Sequence, residues 1–296
     1  MGSHIIIESN FYDKAEELRG FFDQQFANPR EAHEMRFVWD KWFVEDQYAF
    51  TRTPSYHYFP EQMYLDFQSF LIQWGQENLG CSNISPPWLS YYTEGDFQNW
   101  HADVPHGPWA FVFSLSPNDI TYRGGKTQIL NPNTLNYWEY FDPSIGLERE
   151  DICTYIDSPF NQLTLFDPRF PHRVEPVHGT QDPTKGRLVI HGWFTEPNPF
   201  VKGYQNIDEL TDPLNHQLGP LLDKLSSSQI GTGTCSYKME VSTEGLVTSV
   251  NEVTNTVIVS DPDSQPEFES LKQALMSFKL PENTEKYQIT LPLVFS

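Results

Sequence analysis

Cysteine, basic residues and long apolar runs are the scarce features of this 296-residue chain. Its three cysteines, Cys81, Cys153 and Cys235, are odd in number and widely spaced, with no CxxC pair for zinc or redox work, which predicts a reducing, cytoplasmic setting. Lys and Arg number 19 against 40 Asp and Glu, a formal net charge of -21, so nucleic acid and anionic membrane surfaces are poor partners. The sequence holds no run of about 18 apolar residues, which removes a membrane-spanning helix from consideration. No signal peptide is visible, and Met1-Gly2-Ser3-His4 reads as an expression-tag remnant.

What is present argues for a folded globular protein: 38% hydrophobic residues, 15% of the chain aromatic. The length suits one large domain, or one of about 200 residues with a small companion. Phe11, Ala15, Leu18, Phe22 and Phe26 recur at helical spacing, predicting an amphipathic helix that ends near Asn28-Pro29. A second helix is expected from Pro60 to about Leu79, with Met63, Phe67, Phe70, Leu71 and Trp74 as its apolar stripe and Gly80 as its stop.

From Trp88 to Phe200 the texture changes to short runs rich in Val, Ile, Phe, Tyr and Trp, among them WLSYY, WAFVFSLS, KTQIL, NQLTLF and RLVIHGWF, punctuated by Gly and Pro. That is how antiparallel strands read, and helices followed by strands predict a mainly β sandwich or open barrel backed by helices. Residues 201–233, charged and Pro-containing, are expected to be a linker. A small β-β-α-β module is expected over 234–296, from the alternation in SYKMEVS and LVTSVNEV, the capping box Ser264 to Glu267, the stripe Phe268, Leu271, Leu275 and Phe278, and the closing YQITLPLVF. The expected domain therefore runs over 5–200, with a β core at about 88–200.

Metal-capable groups concentrate in NWHADVPHGPWAF, Asn99 to Phe111. If WHAD ends a strand, His101 and Asp103, two apart, project from one face, as two ligands of one ion must. His106 lies beyond Pro105 in a turn and shares no such geometry. FDPRFPHRVEPVHG offers His172 as a third ligand, ahead of a strand-like run. Two His and one carboxylate suit non-haem Fe(II), because three neighbouring coordination positions stay open. An HxD pair alone is commonly a surface or core feature, and a hydrolytic zinc site is the competing metal reading.

In order along the chain, YTEGDFQNWHAD, YRGGKTQIL, FPHRVEPV and GRLVIHGWF resemble the motifs of the Fe(II)/2-oxoglutarate-dependent oxygenases, in particular the prolyl-4-hydroxylase-like branch. The resemblance covers Leu89 to Glu196. It places Tyr92 and Gly95 ahead of the HxD pair, Gly124-Gly125 at a turn, His172 before V-x-P-V, and Arg187 at the opening of the last barrel strand. It implies a double-stranded β-helix, a cupin-like jelly roll, with flanking N-terminal helices and a small α+β module. It also implies Fe(II) held by the facial triad His101, Asp103 and His172, with 2-oxoglutarate and O2 as cosubstrates and succinate and CO2 released.

Arg187 is then expected to grip the distal carboxylate of 2-oxoglutarate, since a planar guanidinium offers two parallel charge-assisted bonds. The family's Ser two residues later is Val189 here, so Tyr92 is expected to substitute, unless it is a packed core tyrosine. His191 shares the strand face of Arg187 by period-2 counting and is a further candidate. Asp103 argues against halogenation, because halogenases of this superfamily carry Ala or Gly there. His106, Trp109, Arg123 and Arg173 are candidates for a substrate pocket, with surface salt bridges as the ordinary alternative for the arginines.

The expected reaction is oxidation of a small molecule, an amino acid or an amino-acid-derived natural product, by hydroxylation, desaturation or oxidative cyclisation. A peptidyl hydroxylase and a non-catalytic 2-oxoglutarate or metal sensor are the alternatives. The C-terminal segment weakly resembles a TonB C-terminal-like module, and dimerisation or docking is its expected role.

Overall fold

The structure is a computed structural model that describes residues 4–27, 38–103, 106–119, 121–131, 152–227, 231–259 and 265–295. Through the first part of the chain the elements run β1 (Ile5–Ser9), α1 (Ala15–Phe26), β2 (Asp40–Val44), β3 (Tyr48–Pro54), α2 (Ser55–Tyr58), α3 (Glu61–Asn78), β4 (Cys81–Ile84), β5 (Trp88–Tyr92), β6 (Phe97–His101) and β7 (Trp109–Ser114). They continue with β8 (Arg123–Gly124), β9 (Thr127–Leu130), β10 (Cys153–Ile156), β11 (Gln162–Phe166), β12 (His172–Val174), β13 (Val177–His178) and β14 (Arg187–Pro197). Then follow β15 (Phe200–Lys202), α4 (Ile207–Ser227), β16 (Gly231–Val241), β17 (Val247–Asn255), β18 (Ile258–Val259), α5 (Gln265–Met276) and β19 (Tyr287–Phe295). Two compact units result, residues 5–68 with 85–193, and residues 69–84 with 194–296.

In the first unit the strands form the runs β11-β7-β14-β5 and β6-β12-β9-β10, with β3 pairing to both β5 and β6. Counted in chain order from β5, and leaving out the short β8-β13 pair, strands one, three, six and eight fall in one run and two, four, five and seven in the other. That alternation is the double Greek key of a jelly roll, the double-stranded β-helix expected from the motifs. The pleat divides β7 cleanly. Ala110 and Val112 face the apolar groups of the barrel interior, including Ile129, Phe166, Tyr92 and Val189. Phe113, on the opposite face, meets Phe67 of α3 at 5.1 Å and Phe11 at 5.8 Å. Each such aromatic taken out of water contributes about 1.5–3 kcal/mol, which is what holds the helices to the sheet.

On α1, Ala15, Leu18 and Phe22 are buried as the spacing predicts, whereas Phe11 is buried ahead of the helix. The stop at Asn28-Pro29 lies outside the described residues. On α3 the buried stripe is Tyr64, Phe67 and Leu71, and Phe70, expected in it, is exposed. Gly80 follows α3 at φ +70, and a Cβ there would stand 2.7 Å from Pro292.

The second unit has an antiparallel sheet in the order β15-β19-β16-β17, with β18 on β16. Cys235, Tyr237, Met239 and Val241 alternate along β16 and pack with Leu271, Leu275 and Phe278. The stretch 201–233 is not a linker: it holds β15, the 21-residue helix α4 and the start of β16. Leu210, Leu214 and Leu218, four residues apart, are buried in the same core. Pro213 and Pro220 each remove a helical N–H and made the segment look broken, but the apolar stripe outweighs them. Ser264 of the expected capping box lies outside the described residues. Among the described residues no helix is long and apolar enough to cross a membrane.

Candidate metal centre

A one-residue irregularity builds the centre. Strand β12 pairs with β6 through His172↔His101 and Val174↔Gln98, so two steps on β12 match three on β6. The extra residue is a β-bulge, which breaks the period-2 count and brings Gln98 and His101 to the same place: Gln98 Nε2 donates to His101 Nε2 at 3.0 Å. Strand β6 ends at His101, so Asp103 is positioned by a loop rather than by the pleat, its N–H bonded to Pro168 O at 3.0 Å and its carbonyl accepting from His106 N at 3.1 Å. His172 opens β12 instead of preceding it.

The three side chains converge. Asp103 Oδ2 lies 3.4 Å from His172 Nε2, Asp103 Oδ1 lies 3.7 Å from His101 Nε2, and one ligand atom from each residue can be chosen so that all lie within 4.8 Å of one another. Donors bound at roughly 2.0–2.2 Å and at right angles would be about 3 Å apart, close to these separations. Both tautomers are set from behind: His101 Nδ1 bonds Asn99 O at 2.7 Å and His172 Nδ1 bonds Phe170 O at 3.0 Å. A carbonyl only accepts, so each Nδ1 carries a proton and each Nε2 is the nitrogen that faces Asp103. Burial, and then the neighbouring His172, hold His101 below the usual imidazole range. Burial opposes ionisation of Asp103, but the His172 hydrogen bond and the surrounding histidines together keep its carboxyl below the usual carboxylate range. Two imidazole nitrogens and a carboxylate facing one point are a donor set that suits a divalent cation.

Arg187 is 1% exposed and opens β14 directly opposite Tyr92. Its Nη2 donates to Thr127 Oγ1 at 3.1 Å, its Cζ sits 4.9 Å over the Tyr92 ring, and its Nε is buried with no hydrogen-bond partner. A buried guanidinium with an orphaned donor and no carboxylate fits the distal end of a dicarboxylate cosubstrate. Thr127 reaches it through the Gly124-Gly125 turn. Both glycines have positive φ, and a Cβ on Gly124 would lie 2.0 Å from Pro176 O. Val189 is packed in the interior, and the hydroxyl that meets the Arg187 guanidinium is that of Thr127 on β9, whereas the Tyr92 hydroxyl bonds Gln98.

Tyr92 stacks on Phe50 at 5.1 Å, and its hydroxyl donates to Gln98 Oε1 at 3.4 Å; burial foremost pushes it up to about 12. His191 Nε2 bonds Ser90 Oγ at 2.8 Å, and burial followed by the Arg187 charge pushes its imidazole down to about 3, so it is neutral.

The substrate candidates divide. His106 is exposed beside the Asp103 loop, its ring 4.4 Å from that of Trp193. Trp109 is fully buried and, by alternation with Ala110, lies on the face of β7 away from the barrel interior, which corrects its expected place in a pocket. Arg173 follows His172 on β12 and points the other way, bonded to Gln128 Oε1 at 2.6 Å and 4.9 Å over Trp100. Arg123 is exposed on the separate β8-β13 pair. Residues that sequence reasoning missed are Gln98, Ser90 and Thr127. Only Thr127, three residues past Gly124 in a strand-like run, carried a readable signal.

Two imidazoles and a carboxylate that converge on a jelly roll are a group that could hold one metal ion. Residues 87–195 match the model of the 2OG-Fe(II) oxygenase superfamily. Those residues thus form a 2OG-Fe(II) oxygenase domain, that of a 2-oxoglutarate- and Fe(II)-dependent dioxygenase. Solved structures similar to it include a prolyl-4-hydroxylase from Pseudomonas putida, at 14% identity over 65% of this chain and 92% of that one, TM-score 0.44. A Trichoplax adhaerens prolyl hydroxylase in complex with a hypoxia-inducible-factor peptide is 19% identical over 65% and 83%, TM-score 0.43. A 2OG-Fe(II) oxygenase-family oxidoreductase from Burkholderia pseudomallei is 11% identical over 64% and 84%, TM-score 0.44. No curated protein sequence matches the chain.

Proposed function

We propose that this dioxygenase oxidises a C–H bond of a small molecule, an amino acid or an amino-acid-derived natural product, by hydroxylation, desaturation or oxidative cyclisation. The observation that carries the reading is the convergence of His101, Asp103 and His172, with the orphaned Arg187 guanidinium on the same barrel. His101, Asp103 and His172 would hold the iron, and Arg187 with Thr127 would anchor 2-oxoglutarate. Fe(II), when bound, supplies the O2 chemistry that decarboxylates 2-oxoglutarate to succinate and CO2 and oxidises the substrate.

The chain's own residues do the rest. The Asn99 and Phe170 carbonyls hold both imidazoles by Nδ1, so that each Nε2 faces Asp103. Phe50, Tyr92, Val177 and Val189 form a dry cluster beside Arg187, where a charge pair is stronger than in water. Ser90 fixes the neutral His191 ring.

The test is succinate release under air with Fe(II) and 2-oxoglutarate, screened against pools of amino acids and their derivatives and, separately, against proline-containing peptides. Stimulation by the small-molecule pools supports the reading. Stimulation by peptides alone replaces it with a prolyl-type hydroxylase acting on protein.

A further inference from the structure

Several of the described cations of this acidic protein pair with carboxylates. Lys14 pairs with Asp66, Arg19 with Asp23, Lys41 with Asp96, Arg169 with Asp167 and Lys202 with Glu77. Two arginines differ. Arg187 and Arg52 each bury an Nε that has no hydrogen-bond acceptor, and neither forms an ion pair among the described residues.

Arg52 lies on β3, and its guanidinium is held by two indoles. Its Cζ is 3.0 Å from the Trp42 ring centroid and 3.8 Å from that of Trp88. Trp42 comes from β2 on one edge of β3, and Trp88 from β5 on the other. Register decides which way the group faces. Arg52 stands opposite Ser90, Ser90 stands opposite Val189, and Trp88 opposite His191. All of these share the face that carries Arg187, and Ser90 touches His191 at 2.8 Å. Arg52 is also among the charges that act on His191, together with Arg187, Asp103 and His101. Burial lowers Arg52 to about 10, so it stays charged at neutral pH.

Indoles against a guanidinium satisfy its faces but accept none of its in-plane N–H bonds. Among the described residues no carboxylate pairs with the group and no acceptor meets its Nε, and the acceptor that matches a planar fork is a carboxylate. One guanidinium with Asp40 as its cross-strand neighbour favours a monoanion over a doubly charged phosphate ester. We propose that Arg52, clamped between Trp42 and Trp88, binds the carboxylate of the organic substrate on the barrel face that carries Arg187. The substrate class is then a small carboxylic acid, recognised by a second arginine distinct from the one that anchors 2-oxoglutarate. This rests on the proposed function for the role of Arg187.

The test uses the full chain without metal and reads tryptophan emission, because Trp42 and Trp88 flank the site. Hexanoate, cyclohexanecarboxylate and N-acetylprolinate are titrated, each against its primary amide. Wild type is expected to respond saturably to acids and not to amides, with Arg52→Gln and Arg52→Lys weakening the response by about tenfold to a hundredfold, the loss of charge-assisted bonds. Near-UV circular dichroism confirms that both variants are folded. In parallel, the Mn(II)-loaded protein is titrated anaerobically with 2-oxoglutarate by calorimetry; Arg187→Ala is expected to weaken binding and Arg52→Gln to leave it unchanged. The proposal is overturned if wild type responds to no acid, if amides bind as well as acids, if the variants bind acids like wild type, or if 2-oxoglutarate depends on Arg52. Failure of the oxygenase reading shows separately, as absence of succinate release from wild type.

Discussion

The barrel unit and the C-terminal unit bury different kinds of group. The C-terminal core is assembled from Leu210, Leu214, Met239, Val250, Leu271, Leu275, Ile289 and Leu291, and buried hydroxyls such as Ser236 and Thr290 bond backbone carbonyls at 2.6 and 3.0 Å. The barrel, by contrast, encloses two imidazoles and a carboxylate in close array, and carries both arginines whose Nε lacks an acceptor. Burying an unsatisfied donor costs about 1–3 kcal/mol, more when it is charged. A fold keeps such charged groups where a ligand completes them, and a unit whose core is mainly aliphatic is built for stability.

The sharpest way to break this comparison is to remove one converging ligand. His172→Ala is expected to reduce succinate release to background while the circular dichroism spectrum persists, and wild-type turnover in that variant would dissolve the site. Leu275→Ala should act in the other unit as a pure core deletion, costing about 2–5 kcal/mol in urea unfolding. Succinate release per folded molecule should not change, and a parallel loss of activity would erase the division of labour.

Arg187→Ala should weaken 2-oxoglutarate binding on the order of a hundredfold, because a charge-assisted pair disappears. Mn(II) with 2-oxoglutarate at about 100 times its dissociation constant should stabilise the site by about 2.7 kcal/mol. Hydrogen exchange is expected to slow in β5, β6, β12 and β14 and to stay constant in β16, β17 and β19. The smallest effect expected is that of Thr127→Val, which removes one hydrogen bond of about 1 kcal/mol and so raises the 2-oxoglutarate dissociation constant roughly fivefold.

The strands of the barrel were legible because runs such as WLSYY and RLVIHGWF alternate between short polar turns, and because His101, Asp103, His172 and Arg187 stand in a recognisable order. Helix α4 was not, since Pro213 and Pro220 mask a stripe that only its packing partners reveal. Trp109 looked like a pocket residue through its nearness to HxD in sequence, but the pleat turns it away. Gln98 was invisible, because a bulge in β6 carries no local signature.

By itself the sequence determined the composition of the centre, two histidines, an aspartate and an arginine on strand-forming segments, together with the apolar periodicities that make the strands and helices fold. Only the tertiary structure decided which groups meet. The β6 bulge against β12, the Gly124-Gly125 turn that brings Thr127 to Arg187, and the pairing of β3 with β5 that brings Trp88 to Arg52 are contacts between segments far apart in the chain. Such contacts depend on register and on which face of a pleat a residue occupies, and neither is encoded in the spacing of any one segment.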